Sequence, residues 1–277
     1  MKNFFLKLLA EQFGLSNALK RIEASFNLGE SSKIPMPKEI AAVSIDFASR
    51  GLLNMFAIQT NLDWVFPCWV ERQYDESSVS YVPGTVLSTN LTHRNWTAIG
   101  NLDSGREPIV DPTGLLTPWY DSWSTDFWVG KDGYLVVPSK NRNVYQYLVK
   151  QLPLVVSQFV KKDIRLRTLA YAFQYDGTEM ISHSISMENL EERDVEVSLF
   201  VNIRPYNPEG ISIVNDILYD RQGRVFHVNG SEGLFLLEEP NRVLCMNHTE
   251  GDTSFQAFSG KKADKTHCRN GLATAFA

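Results

Sequence analysis

The most regular alternation of apolar and polar positions lies in the second half of the chain. Leu169, Tyr171, Phe173 and Tyr175 alternate with small or polar residues, Asp176-Gly177 supplies a turn, and Ile181, His183, Ile185 and Met187 resume the alternation against Ser182, Ser184 and Ser186. A period of two interrupted by Asp-Gly predicts a β-hairpin. Val195, Val197, Leu199, Val201 and Ile203 repeat that period against Glu196, Ser198, Phe200, Asn202 and Arg204. This predicts a strand with one buried and one largely wetted face, paired with the 181–187 strand across residues 189–194. Further short strands are expected at 213–219, 224–228, 233–237, 243–246 and 255–258. Turn signals stand between them at Arg221-Gln-Gly223, Asn229-Gly230, Pro240-Asn241 and Gly251-Asp252, and residues 271–277 read as a last strand. Many short strands at this spacing predict a sandwich or a barrel.

The first half is less regular. Phe5, Leu8, Leu9 and Phe13, then Leu15, Leu19, Ile22 and Phe26, fall at helical spacing, with Ser16 placed to cap the second of two short amphipathic helices. Ile34-Pro-Met-Pro-Lys38 reads as an extended linker, because each proline forbids helix and biases the residue before it to extended geometry. The expected organisation is N-terminal helices in 1–33, a linker in 34–40 and a β domain in 41–277. The fold class is therefore mainly β, a large antiparallel β-sandwich with short N-terminal helices.

Composition narrows the partners. With 43% apolar and 21% charged residues and a net charge of −5 over 277 residues, the chain reads as globular and lacks the clustered positive charge that nucleic acid requires. Cys68, Cys245 and Cys268 are odd in number and widely spaced, which suggests reduced thiols rather than a disulfide framework or zinc site. Lys7 and Glu11 interrupt the apolar N-terminus before it reaches the length of a signal peptide, and no segment is long and apolar enough to span a bilayer. The expected location is the cytoplasm.

All six tryptophans lie between Trp64 and Trp128, interleaved with amides, carboxylates and arginines. Sugars present C–H faces that stack on indole rings and hydroxyls that pair with planar amide, carboxylate and guanidinium groups. The candidate ligand-binding residues are accordingly Trp64, Trp69, Glu71, Arg72, His93, Arg94, Asn95, Trp96, Trp119, Asp121, Trp123 and, in the rigid loop that follows the clearest strand, Arg204. Filling a core is the competing use of the same aromatic residues. Asp63, Glu71, Asp111, Asp121 and Asp126 could include a pair of carboxylates for glycoside hydrolysis, but spacing alone assigns no acid or base. The five histidines show no metal-binding spacing, and no dinucleotide, nucleotide or serine-hydrolase motif occurs, so no metal and no cofactor is expected.

The strings Thr92-His-Arg-Asn-Trp-Thr97, Ile109-Val-Asp-Pro-Thr-Gly-Leu-Leu-Thr-Pro118, Ile185-Ser-Met-Glu-Asn189, Asn202-Ile-Arg-Pro-Tyr-Asn-Pro-Glu-Gly210 and Asn270-Gly-Leu-Ala-Thr-Ala275 resemble the N-terminal β-supersandwich domain of six-hairpin glycosidases. That domain has the galactose mutarotase-like fold and precedes the helical barrel of glucoamylase-like and debranching-type enzymes. The resemblance implies a non-catalytic sugar-binding or scaffold domain, with the catalytic carboxylates mostly in the barrel and with a saccharide, a helical-barrel glycosidase domain or a second copy as partner. Two alternatives stand beside it: a mutarotase-like or glycosidase enzyme with its own acid–base pair, and a structural interaction module.

Overall fold

The computed structural model describes residues 64–67, 96–101, 104–119, 122–131, 133–141, 143–161, 163–207, 210–258 and 263–277. All of them belong to one compact unit, Asn61–Tyr81 with Asn90–Ala277. The helices and linker expected in residues 1–40 lie outside the described residues.

Three short strands, β1 (Thr97–Ala98), β2 (Ile109–Val110) and β3 (Leu116–Thr117), precede β4 (Ser124–Lys131) and β5 (Tyr134–Val136). Four longer ones follow: β6 (Val144–Leu148), β7 (Val155–Lys161), β8 (Ile164–Tyr175) and β9 (Thr178–Asn189). Next come β10 (Ser198–Arg204), the small pair β11 (Tyr206–Asn207) and β12 (Gly210–Ile211), and then β13 (Asp216–Asp220), β14 (Val225–Val228) and β15 (Ser231–Phe235). The last elements are β16 (Leu244–Asn247), the helix α1 (Thr253–Phe258), β17 (His267–Arg269) and β18 (Ala273–Phe276). The described part is thus mainly β, in several antiparallel sheets with almost no helix.

A central sheet runs in the order β1-β2-β3-β4-β10-β18-β16, with β5 also on β4. Two four-stranded sheets, β6-β7-β8-β9 and β15-β14-β13-β17, complete the layers. Strand alternation assigns the faces. Thr125, Phe127 and Val129 of β4 look toward β6–β9, where Val129 and Val136 pack with Phe159, Ile164 and Leu166, and where Val110 and Leu116 pack with Val155 and Ala170. Farther along the same face, Ile203, Cys245 and Ala275 meet Ile217, Tyr219, Phe226 and Val228 of the second small sheet. The opposite face of the central sheet carries Trp128, Phe200, Leu244 and Phe276, covered by Val65, Val137 and Ala257. Each fully buried aliphatic or aromatic side chain contributes roughly 1.5–3 kcal/mol of transfer free energy, so these clusters are the main driving force for joining the layers.

The hairpin predicted around Asp176-Gly177 is present as β8–β9, paired without a break from Tyr175↔Thr178 to Ile164↔Asn189. Its turn residues take φ of 49° and 74°, the left-handed values that Asp and Gly tolerate. The expected strand at 213–219, the one at 243–246 and the last one appear as β13, β16 and β18. Two expectations are overturned. β10 does not pair with β9; it lies in the other layer between β4 and β18. Its supposedly wetted face is buried as well, with Asn202 and Arg204 fully enclosed, while of the face expected to be buried Ile203 is enclosed and Leu199 is exposed. The strand expected at 255–258 is α1, for which Asp252 supplies an N-terminal cap by accepting the Ser254 N–H at 3.0 Å.

A polar seam runs between the first two layers. Gln146 Nε2 donates to the Asp111 carbonyl at 2.8 Å and to Ser157 Oγ at 2.9 Å. The Asp111 carboxylate accepts the N–H groups of Thr113 and Leu115, closing the turn in which Gly114 sits at φ 93°. A Cβ at Gly114 would stand 2.9 Å from the Ser157 Cβ, inside contact distance. Gly114→Ala should therefore cost about 1–3 kcal/mol in urea unfolding, through both backbone strain and overpacking; a loss below about 0.5 kcal/mol would show that the turn relaxes freely.

Candidate functional site

The buried face of β10 builds a polar cluster that few core strands tolerate. Arg204 is fully enclosed, and every N–H of its guanidinium has an acceptor. Nη1 and Nη2 grip the Asp252 carboxylate at 2.8 and 2.5 Å, Nη2 also donates to the Val65 carbonyl at 3.0 Å, Nη1 lies 3.4 Å from Thr253 Oγ1, and Nε donates to the Tyr206 hydroxyl at 2.8 Å. The Tyr206 hydroxyl in turn donates to the Val65 carbonyl at 3.1 Å, and the Val65 N–H donates to Asp252 at 2.8 Å. The guanidinium carbon lies 4.9 Å from the Trp128 ring centre and 5.9 Å from that of Trp64, within the range of cation–π attraction.

Burial works against both charges of this pair. Burial is the largest single influence on each, but Asp252 and Tyr206 together leave the Arg204 pKa raised, and the Arg204 charge with the hydrogen bonds from Arg204, Ser254 and Val65 leaves that of Asp252 lowered. Burial raises that of Tyr206, with Arg204 opposing. Removing one partner of a buried pair leaves the other uncompensated at a cost of about 3–5 kcal/mol. Asp252→Asn should lower unfolding stability by that order, and Asp252→Glu by less; a neutral Asp252→Asn would mean that the face is not closed.

Beside this cluster Asp126 Oδ2 accepts from Trp128 Nε1 at 2.8 Å and from Ser139 Oγ at 2.5 Å. Burial pushes its pKa up to about 6, against the opposing effect of those two donors and Arg204. On the other face of β4, Thr125 Oγ1 lies 2.7 Å from His183 Nδ1, and the imidazole rests on Phe127 with ring centres 4.5 Å apart. Nε2 is buried without a hydrogen-bond partner. Burial pushes His183 down to about 3, the Gly114 backbone opposing in part.

Of the sequence-predicted ligand residues, Trp64, Trp123 and Arg204 are buried, while Trp96 and Trp119 are half-buried. Trp64 and Arg204 meet in the cluster above. Trp123 fills the core against Ile203 and Phe226, with its ring against Gly233, where even a Cβ would approach to 2.9 Å. Trp119 stands edge-on to Trp123, ring centres 6.3 Å apart at 79°, with the exposed Arg106 guanidinium 5.2 Å from its own ring centre. Trp96 Nε1 is buried without an acceptor. Trp69, Glu71, Arg72, His93, Arg94, Asn95 and Asp121 lie outside the described residues. Sequence reasoning missed Asp252 and Arg106; Asp252-Thr-Ser is a helix-cap signature that was available.

This arrangement divides the candidates by chemistry. Arg204 and Asp252 have spent their hydrogen-bonding capacity on the protein, whereas Trp119 with Arg106 retains a partly open ring and an exposed guanidinium. No family model and no curated protein matches the chain. Among solved structures a bacterial glucoamylase complexed with acarbose is similar at a TM-score of 0.44 and 11% identity, over 65% of this chain and 29% of that one. The chain thus spans under a third of that protein's length, and the likeness is partial. Among the described residues no helix is long and apolar enough to cross a membrane.

Asp126 and His183 make opposite demands on pH. Asp126 has a folded pKa of about 6 against an ordinary 3.8, so its contribution to stability is full below about pH 4 and is lost as pH rises to 6. His183, at about 3 against 6.5, contributes fully above about pH 6.5 and loses that contribution as pH falls toward 3. Between pH 4 and 6 the two slopes oppose each other. Asp126→Asn should make the slope of unfolding free energy against pH more positive by up to about 1.4 kcal/mol per unit, and His183→Gln more negative by as much. Urea melts at pH 4, 5 and 6 decide this; a variant whose profile runs parallel to wild type would show that the group titrates normally.

Proposed function

We propose that the chain is a carbohydrate-associated β-sandwich, a non-catalytic sugar-binding or scaffold domain of a glycoside hydrolase-type protein, acting in the cytoplasm beside a helical-barrel partner. The observation that carries this reading is the Trp119 ring, braced at its edge by Trp123 and accompanied by the exposed Arg106. A fixed indole offers a stacking surface to the C–H face of a pyranose without paying to order itself, and a guanidinium supplies planar donors to ring hydroxyls. The sequence resemblance to glycosidase supersandwich domains points to the same ligand class. Among the described residues, Asp111, Asp126 and Asp252 are enclosed in the interior and accept hydrogen bonds from neighbouring protein groups, which favours a binding role over a catalytic one for this part of the chain.

Titration of tryptophan fluorescence with glucose-based and galactose-based oligosaccharides tests the reading. We expect a saturable change with one class, weakened about tenfold in Trp119→Ala, the equivalent of ~1.4 kcal/mol for one stacked ring. A flat response across the panel, or a Trp119→Ala variant that titrates like wild type, would reject it.

A further inference from the structure

The outer face of the β6–β9 sheet is unusual for a surface. Cross-strand register places Tyr147, Val156, Leu169 and Ser184 in one row, Tyr171 beside Ser182 in the next, then Phe173 beside Met180, and Tyr175 beside Thr178. Inward-facing Leu166, Thr168 and Ala170 alternate with these residues along β8 and are buried, which fixes the aromatic set on the outside. Tyr175 is 69% exposed, Tyr147 40%, and Tyr145, at the border of the patch, 66%. The rings lie in two groups, Tyr145 with Tyr147 at 5.6 Å between centres and Tyr171 with Phe173 at 5.8 Å.

Charge is segregated to the other end of the same face, where Arg165 pairs with Glu188 at 2.6 Å and Arg167 donates to Gln158 at 2.7 Å. The rows from Tyr147 to Tyr175 contain no charged side chain. From Tyr171 to Tyr175 the rings line about 13 Å of strand at ~3.3 Å per residue, flanked on β9 by the hydroxyl residues Ser182 and Thr178.

We propose that this face is a flat docking surface for an uncharged glycan chain laid along β8, separate from the Trp119 site but resting on the same carbohydrate reading for its ligand class. The complementarity is chemical. Tyrosine and phenylalanine faces match pyranose C–H faces, phenolic and serine hydroxyls match sugar hydroxyls, and the lack of net charge matches a neutral polymer while leaving nothing to hold a phosphate or a carboxylate. Protein interfaces gather their energy in recessed, desolvated anchor pockets. Here Tyr145 and Tyr175 are 66% and 69% exposed on the outer face of a sheet, which suits stacking along a chain better than insertion of a knob.

Native affinity electrophoresis in gels containing amylopectin, hydroxyethyl cellulose or galactan tests the surface. We expect retardation in at least one gel, at least a fivefold weaker effect for Tyr145→Ala/Tyr175→Ala with unchanged melting temperature, and no comparable loss for Trp119→Ala. Retardation identical in wild type and the tyrosine double variant, or none in any gel, would overturn the proposal. So would light scattering that shows a wild-type dimer converted to monomer by the tyrosine changes, since the face would then be an interface between copies. The two readings fail separately: a flat fluorescence titration with tyrosine-dependent retardation removes the Trp119 site alone, and the converse removes this surface alone.

Discussion

The Arg204–Asp252 ion pair is the constraint around which one side of the central sheet is organised. It joins the end of β10 and the adjoining Tyr206 turn to the N-terminal cap of α1 and the segment at Val65, three pieces distant in sequence, through hydrogen bonds that leave no donor of the guanidinium idle. A pair buried this way contributes little net stability relative to a hydrophobic replacement, but it penalises every arrangement in which one partner is missing. Its effect is on specificity: α1 and the Val65 segment have one place on the sheet where their polar groups are satisfied. The apolar contacts of Trp128, Phe200 and Phe276 then hold that arrangement together.

The same sheet face explains what could and could not be read from sequence. The β8–β9 hairpin was legible because strict alternation and an Asp-Gly turn act locally and agree. β10 has an equally strict alternation, yet reading its apolar positions as the buried face fails. Asn202 and Arg204 are buried by partners at Asp126 and Asp252, far along the chain, and nothing local announces them. The apolar set of β10 is divided instead: Ile203 enters the core while Leu199 lies in the open. Pairing with β4 rather than β9 follows from the layer change between residues 189 and 198, which a hairpin reading of neighbouring strands does not anticipate. In α1 the Asp252 cap, not a local apolar pattern, starts the helix.

For the candidate site, the sequence located a region rich in tryptophan but not the state of each ring. Trp64 and Trp123 are core residues, and Trp96 and Trp119 are half-open. Burial of an indole depends on what packs over it from other strands. Trp123 is covered because Gly233 on β15 lets a backbone approach, and no feature near position 123 encodes that. Arg106 escaped notice for the same reason, since its relation to Trp119 is made by the fold rather than by spacing.

Across the sandwich, the distribution of polar groups separates structure from recognition more sharply than residue type does. Where a polar side chain meets a protein partner in the interior, as Arg204, Asp126 and the Asp111 turn do, its role is to fix register and docking. The aromatic rings that remain accessible, at Trp119 and across the outer face of β8, lean instead on neighbouring rings, Trp119 on Trp123 and Tyr171 on Phe173. Rigid amphipathic rings lose little conformational entropy when a ligand stacks on them. The Arg204–Asp252 pair fixes how α1 and the Val65 segment dock, while those rings keep their faces for a ligand, so the two uses of amphipathic side chains are divided between interior and surface.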